Sequence, residues 1–186
     1  MSNAADPLPP VPLVLDAACF AAQRHANQRR KGMDHEPYIN HLLEVAALLA
    51  QAGHPPDVNL VVAGLLHDIV EDTPTTREEV AARFGEDVAT LVMEVTDDKS
   101  LPKHVRKDLQ IQSAPEKSAR AQKLKAADKI SNLRSLILSP PADWSSERRA
   151  EYITWARRVI DGCASLDGFL KEEFYRTHAQ CAGRLC

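Results

Sequence analysis

A chain of 186 residues, 44% of them apolar, suffices for one globular domain with a sizeable core and leaves no room for a second catalytic domain. Its formal charge of −3, from 23 basic and 26 acidic residues, excludes a global electrostatic match to nucleic acid, while a local cationic pocket stays open. No run reaches membrane-spanning length and the N-terminus shows no leader pattern, so the expectation is a soluble cytoplasmic protein without membrane or nucleic-acid partners. Cys19, Cys163, Cys181 and Cys186 form no CxxC pair, which fits free thiols in a reducing compartment. The last two are close enough in sequence to oxidise in vitro.

Residues 1–12 carry Pro7, Pro9, Pro10 and Pro12 and read as an extended lead-in, with the folded domain spanning 13–176 and a tail over 177–186. From Leu13 to about Lys31, Leu15, Ala18, Cys19, Ala22 and Ala26 recur at helical spacing and predict one buried stripe. A second helix over about Ile39 to Ala52 points Leu42, Val45, Ala46 and Leu49 inward and stops at Gly53, a residue suited to a left-handed cap. The run from Asn59 to Asp72 is apolar around most of its circumference, as a central helix is. Thr76 and Glu79 form a capping box for a helix over Arg77 to Phe84, and Glu86 to Val95 reads as another. Thr96 to Lys107 is a charged loop running into a helix. Ser118 to Leu138 is strongly helical, with Leu124, Ala127, Ile130, Leu133, Leu136 and Ile137 inward, and Glu147 to Phe174 is a final helix or pair of helices. No segment reads as a strand, so the fold class is all-α.

Against this background, His41, His67-Asp68 and Asp128 form a mixed imidazole and carboxylate set. Such a set suits a borderline or moderately hard divalent ion and argues against a thiolate-type structural zinc site. A helix-borne His-Asp doublet is ordinarily a structural pair. Here it follows the apolar run Val61 to Leu66, and buried ionisable groups cost several kcal/mol unless an ion or a partner compensates them, on the order set by desolvation. Adjacent helical residues project about 100° apart, so His41 and Asp128 must close the site from other elements. Glu71 stacks one turn beyond His67, where it can hold and deprotonate a water acidified by the ion; Asp72 stacks over Asp68. Asp72 also precedes Thr73-Pro74 and has a second reading as a turn anchor.

Arg29-Arg30-Lys31 lies a short loop before His41 and is a candidate phosphate-binding arm, as is Lys103, whereas Lys99 and Arg106 read as surface charges. Arg148 and Tyr152 share a helical face, as do Asp128 and Asn132. His25, His35, His54, His104 and His178 have no partnered spacing and stay outside the metal set.

Taken together, Arg29-Arg30-Lys31, Pro37-Tyr38-Ile39-Asn40-His41, Leu65 to Thr73, Phe84-Gly85, Val95 to Lys99 and Ala127 to Arg134 resemble the HD-domain hydrolases of the RelA/SpoT type. The likeness is greatest to the small single-domain alarmone hydrolases of the metazoan SpoT homologue class, and it extends through Trp144, Arg148, Tyr152 and Trp155. Leu42 departs from it, since the family commonly has Pro after the metal-binding His; no ligand is lost. The resemblance implies an all-α HD fold with a single Mn²⁺, hydrolysing guanosine 3′,5′-bis(diphosphate) or its pentaphosphate relative to GDP or GTP and pyrophosphate. It implies His41, His67, Asp68 and Asp128 as ligands and Glu71 and Asp72 as the catalytic acidic pair. Arg30, Lys31, Lys103, Asn132, Arg148 and Tyr152 would contact the nucleotide and its phosphates. Alarmone synthesis is not expected, because the synthetase and regulatory regions of the long bifunctional enzymes have no counterpart here. The rival readings are an HD-type phosphohydrolase of another nucleotide, such as the 2′-phosphate of NADPH or a nucleoside monophosphate, and a nucleotide sensor without turnover.

Overall fold

A computed structural model describes residues 10–166 and 168–184. Ten α-helices make up this part of the chain: α1 (Pro10–Arg24), α2 (Ile39–Gln51), α3 (Val58–Leu66), α4 (Ile69–Asp72), α5 (Arg77–Phe84), α6 (Glu86–Val95), α7 (Lys103–Ser113), α8 (Ala119–Leu138), α9 (Ser146–Asp161) and α10 (Gly168–Gly183). Among the described residues the one departure toward β structure is an isolated bridge between Arg29 and Pro37. No helix is long and apolar enough to cross a membrane. The all-α expectation holds.

α3 is a central helix in which each residue from Leu60 to Leu66 is buried. It touches α1, α2, α6 and α8. At Gly64 a Cβ would sit 2.7 Å from Leu49 Cδ1, so the missing side chain lets α2 and α3 close on one another. Asp57 caps α3 by accepting from Leu60 N at 3.1 Å, and Ser118 and Ser145 cap α8 and α9 in the same way. Thr76 caps α5 as expected, but Glu79 does not turn back on it: its carboxylate pairs with Arg24 of α1.

Several boundaries and faces differ from the sequence expectation. The helix of α1 starts at Pro10, since prolines are tolerated in a first turn whose N–H groups have no helical acceptor, and it ends at Arg24 rather than near Lys31. Residues 1–9, the rest of the Pro-rich lead-in, lie outside the described residues. The buried face of α1 is Ala17, Phe20 and Ala21, while Leu15 and Cys19 are exposed. Its many alanines leave the pattern ambiguous, and the large Phe20 ring decides which side turns inward. Gly53 is not left-handed; the positive-φ glycine among the described residues is Gly85, at φ 93° between α5 and α6.

Past residue 176 the chain stays helical to Gly183, with Thr177 and Cys181 buried against the body of the fold. Cys181 is a free thiol, and Cys186, its expected oxidation partner, lies outside the described residues. α10 packs along α8, the helix that supplies Asp128, and its Phe174 is fully buried. Replacing Phe174 with Ala is expected to lower unfolding free energy by about 3–5 kcal/mol, the usual cost of truncating a buried aromatic residue. Urea denaturation measures this; a loss below about 1 kcal/mol would mean that α10 is not part of the cooperative unit.

Candidate metal centre and active site

The sequence reads Asn59 to Asp72 as one helix, yet the helix breaks at its polar doublet. His67 ends α3, and Asp68 takes φ −99° and ψ 1°, in the sparsely populated bridge region. The consequence is chemical. On a regular helix the two side chains would diverge by about 100°, whereas here His67 Nε2 and Asp68 Oδ2 come within 3.1 Å. One helical turn persists across the break through Asp72 N donating to Asp68 O at 2.8 Å.

Two other helices complete the group. His41, on the first turn of α2, places Nε2 at 3.4 Å from Asp128 Oδ1 and 3.9 Å from Asp68 Oδ2. One ligand atom each from His41, His67 and Asp128 falls within a mutual 4.8 Å, a geometry that can hold a metal ion; Asp68 stands beside the three, its Oδ2 near both imidazoles.

Both imidazoles are buried, at 2% and 5% exposure, and both are oriented from behind. His67 Nδ1 lies 2.9 Å from Gly64 O, an acceptor, so Nδ1 carries the hydrogen and Nε2 faces the carboxylates with no hydrogen-bond partner. His41 Nδ1 meets Ser131 Oγ at 2.8 Å, and that hydroxyl donates to Glu44 Oε2 at 2.6 Å. The chain of polarity again puts the hydrogen on Nδ1 and leaves Nε2 free to bind. Burial holds His41 below the ordinary histidine pKa, favouring the neutral form that a ligand requires. For His67, burial opposes protonation, but Asp68 and Asp128 outweigh it and raise the pKa to about 9. The field that would retain a proton at His67 Nε2 is equally suited to a divalent cation. The donor set fits such an ion, and the orphaned Nε2 is the observation that tests the fit.

A cleft of about 220 Å³ opens onto this cluster. On one side stand Glu71 and Asp72. Burial raises the Glu71 carboxyl above the ordinary glutamate pKa, opposed by the backbone N–H of Asp97, which donates to Oε2 at 3.1 Å. Asp72 accepts from Gln28 Nε2 at 2.8 Å and pairs with Lys99. Asn132, one turn beyond Asp128, donates to its Oδ1 at 2.6 Å and accepts from Arg30 at 3.2 Å. Tyr152 and Trp155 of α9 form the aromatic wall, and burial pushes the Tyr152 hydroxyl up to about 12.

Lys31, Lys103 and Arg148 do not line the cleft. They nevertheless act on one another: Lys103 is pushed down by partial burial and then by the charges of Lys31, Arg148, Lys107 and Arg106. Arg148 lies 4.6 Å over the Trp144 ring, which itself is 5.6 Å from Tyr152. These residues form a cationic rim beside the aromatic wall.

Residues 17–156 match the sequence profile of the HD domain. The chain belongs to the HD-domain family. Within this family it is 48% identical over 159 residues to the guanosine-3′,5′-bis(diphosphate) 3′-pyrophosphohydrolase MESH1 of Xenopus tropicalis, covering 86% of this chain and 89% of that protein. The Homo sapiens MESH1 is 47% identical over the same length, with the same coverage. A solved structure of a metazoan SpoT orthologue, which hydrolyses ppGpp and plays a role in starvation responses, superposes with a TM-score of 0.87 at 40% identity, covering 93% of this chain and 97% of that one. The recognition made from the residues therefore stands.

Sequence reasoning overlooked several residues of this HD-domain site. Lys99 and Arg106, read as surface charges, are drawn to the acidic pair: Lys99 to Asp72, and Arg106 Nη1 to Glu71 Oε1 at 3.6 Å. Tyr38 donates to Asp68 Oδ2, and Lys129 donates to Asp128 Oδ2 at 2.8 Å while lying over Trp155. Lys125, buried and pushed down to about 8 by that burial, lines the cleft and donates to Val95 O. The available signal was a pair of lysines at otherwise apolar positions of α8.

The Ser131 hydroxyl orients one imidazole without touching the cavity. Ser131→Ala is expected to weaken divalent-ion binding by about 10–100-fold, as loss of an outer hydrogen bond to a ligand usually does. Isothermal titration with Mn²⁺ reads this directly, and wild-type affinity in the variant would contradict the orientation argument.

Proposed function

We propose that this chain hydrolyses guanosine 3′,5′-bis(diphosphate), and its pentaphosphate relative, to GDP or GTP and pyrophosphate, with one Mn²⁺ held by His41, His67, Asp68 and Asp128. The observation that carries the reading is the convergence of a His/His/Asp group able to hold a metal ion and an acidic pair on one cleft, in a chain 48% identical to a protein of that named activity. The free thiols Cys19, Cys163 and Cys181 agree with action in the cytoplasm.

The reaction joins a water oxygen to the phosphorus on the ribose 3′ oxygen and breaks the bond between that phosphorus and the 3′ oxygen. Glu71, buried and shifted toward higher pKa, takes the proton of the attacking water, and the Glu71–Asp72 pair returns a proton to the departing oxygen. A divalent ion, when bound, acidifies that water and neutralises phosphate charge. Asn132, fixed between Arg30 and Asp128, aligns the reacting groups. Arg30, Lys31, Lys103 and Arg148 hold anionic oxygens, and Tyr152 packs against the nucleotide.

Purified protein incubated with the guanosine tetraphosphate should form GDP and pyrophosphate when Mn²⁺ is added, and an Asp68→Ala variant should not. Folded, metal-loaded protein without turnover would overturn the substrate assignment. Release of orthophosphate from NADPH or a nucleoside monophosphate in a parallel panel would then redirect it. Glu71→Gln should bind Mn²⁺ as the wild type does and lose nearly all turnover; near-normal turnover would remove Glu71 as the base.

The sign of the pH dependence follows from the burial of Glu71. A base works ionised, so kcat should fall as pH drops through its raised pKa, placing the acid limb above the ordinary glutamate value of about 4.3. A pH–rate profile with its acid limb at or below that value would contradict this role.

A further inference from the structure

The turn after α1 contains a linked set of side chains for which the reading above has no use. His25 is buried at 3% exposure, and its ring stacks on that of Tyr38, with centroids 5.2 Å apart and planes 29° apart. His25 Nδ1 lies 2.6 Å from Gln28 Oε1, and Gln28 Nε2 donates to Asp72 Oδ2 at 2.8 Å. The backbone braces the same three residues: Gln28 N donates to His25 O at 2.9 Å, and Tyr38 N donates to Gln28 O at 3.1 Å.

The direction of this chain is fixed by chemistry. An ionised Asp72 only accepts, so the Gln28 amide must present its NH₂ group there and its oxygen to His25. An amide oxygen also only accepts, so His25 Nδ1 carries the hydrogen. The buried Nε2 of His25 has no hydrogen-bond partner, so the ring is held through Nδ1 and its stack on Tyr38. The other Asp72 oxygen pairs with Lys99, a side chain about half exposed and free to exchange with solvent or phosphate. Gln28 is part-buried and braced on both sides, which makes it the fixed partner.

We infer that Gln28 is a positioning residue for Asp72, locked in its orientation by His25, whose ring is in turn seated against that of Tyr38. Tyr38 reaches Asp68, and Gln28 reaches Asp72. The inference rests on the reading that Asp72 serves the hydrolytic reaction.

A double-mutant cycle tests it. Gln28→Ala should lower kcat by about 10–100-fold with little change in KM, while bound Mn²⁺ per chain and the thermal midpoint stay near wild type. In an Asp72→Asn background the same substitution should cost almost nothing further, because both changes remove one device. His25→Leu should behave like Gln28→Ala, and His25→Asn, which keeps an N–H at the δ position, should recover most of the lost rate. Equal losses in both backgrounds, or a loss that follows the metal content, would overturn the inference. If the wild type itself leaves the guanosine tetraphosphate intact, the substrate reading fails separately, and the cycle is run on whichever nucleotide the panel shows to be hydrolysed.

Discussion

The break between α3 and α4 is the constraint on which the site depends. A helix buried from Leu60 to its end runs into an imidazole and a carboxylate that must share one small volume. A regular helix cannot aim adjacent side chains at a common point, and an isolated buried charge costs several kcal/mol, of the order expected for desolvation. The bridge-region backbone at Asp68 meets the first demand. The second is met from outside the segment. Asp68 receives Tyr38, Asp128 receives Lys129 and Asn132, and both histidines are held from behind by groups that set their tautomers.

This arrangement explains why the His/Asp grouping was more legible than the architecture around it. His41, His67, Asp68 and Asp128 stand out because ionisable residues interrupt apolar helical patterns, and that conflict is visible in one dimension. The helices α2, α5, α6 and α8 follow from periodicity and capping residues for the same reason. The buried face of α1 did not, since alanines fit either side and only the three-dimensional placement of Phe20 decides between them. Nor did the helix break, because neither Gly nor Pro marks it and the polar doublet is compatible with a continuing helix.

The partners Gln28, Tyr38, Glu44 and Ser131 were illegible on the same principle. Each is an ordinary polar residue whose meaning is a contact made across the fold, to Asp72, Asp68, Arg134 or His41. Lys99 and Arg106 were misread because a charge on a polar stretch carries no record of what it faces. Against that, Asp128 and Asn132 were correctly placed on one face because their relation is local, four residues apart on a single helix.

The loop that carries Arg30 and Lys31 is fastened to the far end of α8. Gly32 packs so closely on Ser139 that a Cβ would stand 2.3 Å from its carbonyl oxygen, and Ser139 Oγ accepts from Asp34 N at 3.0 Å. The same helix bears Asp128 near its middle. At a rise of about 1.5 Å per residue, the stretch from Asp128 to Ser139 fixes a separation of about 16 Å along the helix axis between the His/Asp cluster and the anchor of the basic loop. α8 thus works as a gauge rod. One residue inserted between these points would advance the anchor by about 1.5 Å and swing it about 100° around the axis, so the span between cluster and loop is encoded in helix length as firmly as the cluster itself is encoded in residue type.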